Sequence, residues 1–181
     1  MKTRLGLLGA SALGLLSALT GAQIQRLDLP EMIDDCDHAV FATIVACKTE
    51  EIVHPVDGLE VMTTLTLAGE SLYDGSNVTV DVSFLGGFAP GQFNSEAPVQ
   101  DDCRIGSHIV AFYTWTDRLL PDVGANALHA AHGGVYRTVD GPTGTVVLGR
   151  GDGFAVKNNV KVSDLRKAIA TVRQAQQRKD G

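Results

Sequence analysis

Beyond its first twenty or so residues, the chain has no apolar run long enough to cross a bilayer, a span that takes about 20 residues. It has no His-Glu-x-x-His, no Gly-x-Ser-x-Gly, and no Lys-Ser or Lys-Thr after a glycine-rich loop. The common signatures of zinc proteases, α/β-hydrolases and phosphate loops are therefore absent. The Asp/Asn-and-Gly order of a known calcium loop is missing too. No internal repeat or low-complexity linker interrupts the chain. Cysteine is scarce, at three residues in 181. An odd count in an oxidising compartment leaves room for one bridge and one thiol.

The N-terminus carries the order of an export signal. Lys2 and Arg4 give a basic start, residues 5–19 are almost all Leu, Ala, Gly and Ser, and Thr20-Gly21-Ala22 supplies small residues. This predicts a signal peptide over 1–22, cleavage after Ala22 and a mature chain starting at Gln23. No cysteine stands at the cleavage point and no Arg pair precedes the apolar run, so neither a lipid anchor nor twin-Arg export is expected. Without Lys2 and Arg4 the formal charge falls from −6 to −8. Such an acidic chain repels nucleic acid and anionic membrane surfaces. The expectation is a secreted or periplasmic protein with no stable membrane anchor after processing.

Residues 23–181 have the length of one domain. Pro30 with acidic neighbours predicts a short helix before residue 36. Residues 39–47 are apolar on both faces and β-branched, which predicts a buried strand. The polar segment 48–60, with Pro55 and Asp57-Gly58, reads as a long loop to a second strand centred on 61–67. Further strands are expected at 78–84, 107–115, 135–139 and 145–148. Residues 119–134 give no clear pattern. Leu165, Ile169 and Val172 recur at helical spacing and predict a helix over 163–177, with Ser163 as its N-cap. Six short strands and one terminal helix indicate a mainly β fold, a small antiparallel OB-like barrel.

The order of elements carries a resemblance. Asp37-His38-Ala39-Val40-Phe41-Ala42 opens an apolar strand, Tyr73-Asp74-Gly75 precedes an alternating strand that ends near Gly86-Gly87, and Gly106-Ser107-His108-Ile109-Val110-Ala111-Phe112 opens another. Over roughly 28–152 this resembles small exported bacterial proteins. They in turn are similar to the netrin-like, OB-type barrel of the tissue inhibitors of metalloproteinases. In those inhibitors an N-terminal cysteine binds the enzyme's zinc. Here the expected first residue is Gln23 and the first cysteine is Cys36, so that mechanism is not implied. The resemblance implies a fold, and a fold does not fix a function.

In an OB-type barrel the first strand runs antiparallel to the fourth. Cys47, ending the first, and Cys103, preceding the fourth, then become the expected disulfide, with Cys36 free. Cys36–Cys103 is the alternative, and three buried thiols are another.

Candidate functional residues fall into two sets. The loop 86–100 carries Phe88 and Phe93, either as contacts for an unknown protein or small-molecule ligand or as plugs of the barrel end. His129 and His132, spaced for one ion on a helix, form with Asp101 the metal site of an alternative small hydrolase. Gly133-Gly134 speaks against a helix there. The acids at 34, 35 and 37 and at 101 and 102 read as solvated turn charges. The leading expectation is a non-enzymatic binding barrel with no cofactor.

Overall fold

The computed structural model describes residues 27–54, 58–87, 98, 100–120, 123–129 and 131–178, without the side chains of residues 54, 118, 120, 123, 131 and 132. The expected signal peptide and the centre of the 86–100 loop, including Phe88 and Phe93, lie outside the described residues.

A short helix, α1 (Leu29–Asp35), comes first. Asp28 caps it by accepting from the Glu31 amide, while the Glu31 carboxylate accepts from the Asp28 amide. Pro30 sits in the first turn, where its missing N–H costs nothing. Eight strands follow: β1 (His38–His54), β2 (Gly58–Ser71), β3 (Asn77–Leu85), β4 (His108–Leu120), β5 (Val123–Leu128), β6 (Val135–Gly141), β7 (Gly144–Val147) and β8 (Val160–Lys161). The chain ends in α2 (Val162–Gln177).

Strands β1 to β5 close into a barrel in the order β1-β2-β3-β5-β4, with β4 returning to β1. Neighbours are antiparallel except β3 and β5, which run parallel where Val82 faces Asn126 and Ser83 faces Ala127. This is the OB-like barrel expected from the sequence. β6 pairs with the start of β4, then turns away to form a small sheet with β7 and β8.

The barrel wall separates two cores. Val40, Ala42, Ile44, Leu65, Leu67, Val82, Phe84, Ile109, Ala111 and Tyr113 point inward. Ala39, Val110 and Phe112 point outward, under Met32 and Ile33 of α1 and Leu165 and Ile169 of α2. Thus β1 and β4 are apolar on both faces because each lies between two cores. β2 packs only inward, so Val61, Thr63, Leu65 and Leu67 alternate with half-buried residues.

Three expectations need correction. First, 48–60 is not a long loop. β1 continues to His54, and Thr49 pairs with Thr63, Glu51 with Val61 and Val53 with Leu59. The β1 half of this arm is largely exposed, so it can be polar and still keep its backbone ladder, while Val61 and Thr63 of β2 stay buried on the arm's inner face. Secondly, β5 was not expected. Its sequence, VGANAL, has little strand propensity, and pairing on both sides imposes its form. Thirdly, the N-cap of α2 is Lys161, with no side-chain cap, because β8 feeds straight into the helix.

Candidate functional site: the barrel mouth at Trp115

The β1–β4 ladder begins where His38 faces Tyr113. Their rings stack at 4.9 Å. Tyr113 points into the barrel, and burial pushes its phenol pKa up. Two residues on, Trp115 is on the same face by strand alternation, but β1 has not yet begun at its level. It is therefore 62 % exposed. Among the described residues it pairs on one side, with Asn126 of β5.

The indole rests against Gly124 of β5. A Cβ at Gly124 would come within 2.5 Å of the ring, so the glycine leaves the space the indole occupies. Asn126 donates from its side-chain amide to the Asp81 carbonyl, tying β5 to β3. Asp37 fixes the backbone. Its carboxylate accepts from Thr114 Oγ1 at 2.5 Å and from the Trp115 amide at 3.3 Å. The Thr114 bond, helped by the Trp115 amide, holds Asp37 below the usual carboxylate range against the opposing effect of burial. An exposed aromatic thus stands on a strand tied at three points.

Beside this mouth, the His129 amide donates to the Phe112 carbonyl. Its Nε2 lies 3.9 Å from Asp35 Oδ2 and has no hydrogen-bond partner among the described residues. Burial depresses the imidazole pKa, opposed by the charges of Asp35 and Asp37. The acids facing His129 are therefore Asp35 and Asp37. Asp101 is elsewhere, exposed and 2.6 Å from Arg104. The His132 side chain lies outside the described residues. Among the described residues no group of three or more His, Cys, Asp or Glu is placed to hold a metal ion.

In the second acidic pair Asp101 is the solvated turn charge expected, but Asp102 is not. Asp102 is buried, with Oδ1 2.9 Å from Arg137 Nε and Oδ2 3.2 Å from Arg150 Nη2. Arg150 in turn lies over the rings of Tyr136 and Phe154.

The cysteines divide between the two cores. Cys103 is buried in the inner core and Cys47 packs against it. Cys36 lies in the outer core, its sulfur 3.3 Å from the Tyr73 hydroxyl. The β1–β4 pairing that underlay the expected Cys47–Cys103 bridge is present: Thr43 faces His108, and Ile44 exchanges backbone bonds with Gly106 and Ser107. All three cysteines are nevertheless free thiols in this structure. Burial pushes Cys103 up to about 12 and Cys36 up to about 11, and raises Cys47 as well.

On the outer wall, an open hollow of about 280 Å³ lies between β1 and β2, lined by Phe41, Thr43, Ala68, Glu70, Asn77 and His108. No helix among the described residues is long and apolar enough to cross a membrane. Compared with known protein families, curated proteins and solved structures, the chain finds no match.

Sequence reasoning missed Trp115. The only available signal is that the single tryptophan stands where an apolar strand turns polar, at Trp115-Thr116-Asp117-Arg118.

Proposed function

We propose that this chain is an exported, non-enzymatic OB-type barrel that binds a partner protein at the mouth around Trp115. The observation that carries the reading is an indole 62 % exposed on a strand held by Asp37, Gly124 and Asn126. Large rigid aromatics give much contact area for little lost freedom and are enriched among residues that dominate interfaces. Fold-level analogy agrees, since OB-type barrels bind ligands on their strands and loops. The loop 86–100, with Phe88 and Phe93, follows β3 in the chain and is taken as a second recognition element, as its length and aromatic content suggest. Export follows from the basic, apolar, small-residue order of residues 1–22. In the exported form Cys47 and Cys103 are bridged and Cys36 stays free. The hydrolase alternative gains no support, because Asp101 is engaged by Arg104 rather than His129.

A photo-crosslinking residue in place of Asp117, two residues along β4 from Trp115, expressed in an exporting cell, tests the binding site. Position 117 should give a discrete adduct with one protein that Trp115→Ala removes, and position 167, on the outer face of α2, should give none. Equal labelling at both positions, none at 117, or an adduct untouched by Trp115→Ala would overturn the reading.

A further inference from the structure

The arm made by β1 and β2 has an open edge. From His38 to Thr43, β1 is paired on both sides, with β2 and with β4. The β4 side closes with the bonds from Ile44 to Gly106 and Ser107. From Ala46 to His54, β1 pairs only with β2 among the described residues. One row of backbone N–H and C=O groups there faces outward, a template for another strand. At the tip, Val53 is 81 % exposed and its cross-strand partner Leu59 is 61 % exposed.

Folded proteins commonly guard such an edge with charges. Here the charges alternate in sign along one face. The extra residue between Ile44 and Ala46 resets the alternation, so Ala46, Lys48, Glu50 and Ile52 share one face of the arm. Lys48 and Glu50 are joined on that face at 2.7 Å. Cys47, Thr49, Glu51 and Val53 share the other face.

Two antiparallel copies of one strand are related by a twofold axis normal to the sheet, which keeps each face with itself. The axis then passes through a residue position. Centred on Lys48, Glu50 or Glu51, it sets like charges against each other. Centred on Ile52, it leaves Lys48 with no acid opposite. Centred on Thr49, it sets each Lys48 opposite Glu50 of the second copy, and each Ala46 opposite Ile52. Glu51 falls opposite Cys47, a thiol that burial keeps neutral.

We propose that two copies of this chain pair edge to edge through residues 46–52 of β1, in the antiparallel register centred on Thr49. Opposite charges directly across a strand pair are favourable and like charges unfavourable. The four charges of the two copies thus select this register and this partner over a strand lacking the alternation. The pairing is independent of the Trp115 mouth, which lies beyond the other end of β1.

Sedimentation of the processed full chain across a range of concentrations tests it. The wild type should move from the monomer mass to twice that mass as concentration rises. Glu50→Lys and Lys48→Glu should each stay monomeric, because each sets like charges opposite. The exchange Lys48→Glu with Glu50→Lys should restore the dimer. Circular dichroism of each variant should match the wild type, since these side chains are on the open arm. A wild type that stays monomeric throughout would overturn the proposal. So would a dimer untouched by Glu50→Lys, or a correctly folded double exchange that remains monomeric.

Discussion

Asp102 and Arg137 are joined, with Oδ1 2.9 Å from Nε and the Asp102 side chain 7 % exposed. Arg150 takes the second oxygen. The pair links the turn before β4 to β6 and to the segment after β7. Removing one partner of a fully buried pair costs about 3–5 kcal/mol, and the loss is smaller here because the Arg137 side chain is 55 % and that of Arg150 23 % exposed. Asp102→Ala should therefore lower the urea midpoint measurably without changing the slope. Arg137→Gln should cost less, since Arg137 is half exposed and Arg150 keeps its hold on Asp102.

His129 should give the fold a pH dependence. Its folded pKa lies below the ordinary value of 6.5, because burial disfavours the imidazolium. The unfolded chain therefore takes up the proton first as pH falls. Stability is full above about pH 6.5 and declines below it until the folded pKa is reached. The depressed carboxylates of Asp37 and Glu70 stabilise above their ordinary values of 3.8 and 4.5, and that contribution is lost only at lower pH. The interval from about 6.5 to 4.5 thus isolates His129. His129→Gln should flatten a plot of melting temperature against pH there. An unchanged slope in the variant would assign the effect to another group.

The parts legible in the sequence were those whose two faces are set by the cores. Residues 39–47 and 107–115 read as strands because Val40, Ala42 and Ile44 fill the barrel while Ala39 packs outward. The 3.6-residue spacing of Leu165, Ile169 and Val172 marked α2 for the same reason. What was not legible depends on contacts distant in sequence. β5 is a strand because β3 and β4 flank it. Asp102 is buried because Arg137 and Arg150, 35 and 48 residues further on, enclose it. Trp115 is exposed because the β1 ladder starts two residues short of it, which no local pattern records.

The terminal helix should contribute strongly through few residues. Leu165 is 2 % exposed and Ile169 fully buried, both in the outer core, whereas Val172 is only partly buried. Ile169→Ala should cost about 2–5 kcal/mol, including the cavity it leaves. Val172→Ala should cost less. Lys167→Ala, on the exposed face, should stay within about 0.5 kcal/mol of wild type by chemical denaturation.

The thiols provide the last prediction, which separates the reduced fold from the exported form. In the reduced protein, Cys103 is pushed up to about 12 and Cys36 to about 11, both buried in cores. Cys47 is raised too but is only half-buried on the arm side of the barrel. The thiolate is the reacting species, so alkylation near neutral pH should label Cys47 first. Cys36 and Cys103 should react only as the fold opens. In material recovered after export, Cys47 should be protected, and non-reducing peptide mapping should find it linked to Cys103. Opening that link should lower stability by about 4 kcal/mol on the chain-entropy account, because it closes a loop of some fifty residues. Reduction followed by a melt measures that difference directly. A Cys36–Cys103 peptide would require a link between the two cores across the barrel wall and would exclude the proposed pairing. Three alkylatable thiols in the denatured exported protein would show that no bridge forms, leaving Cys47 and Cys103 as packing residues.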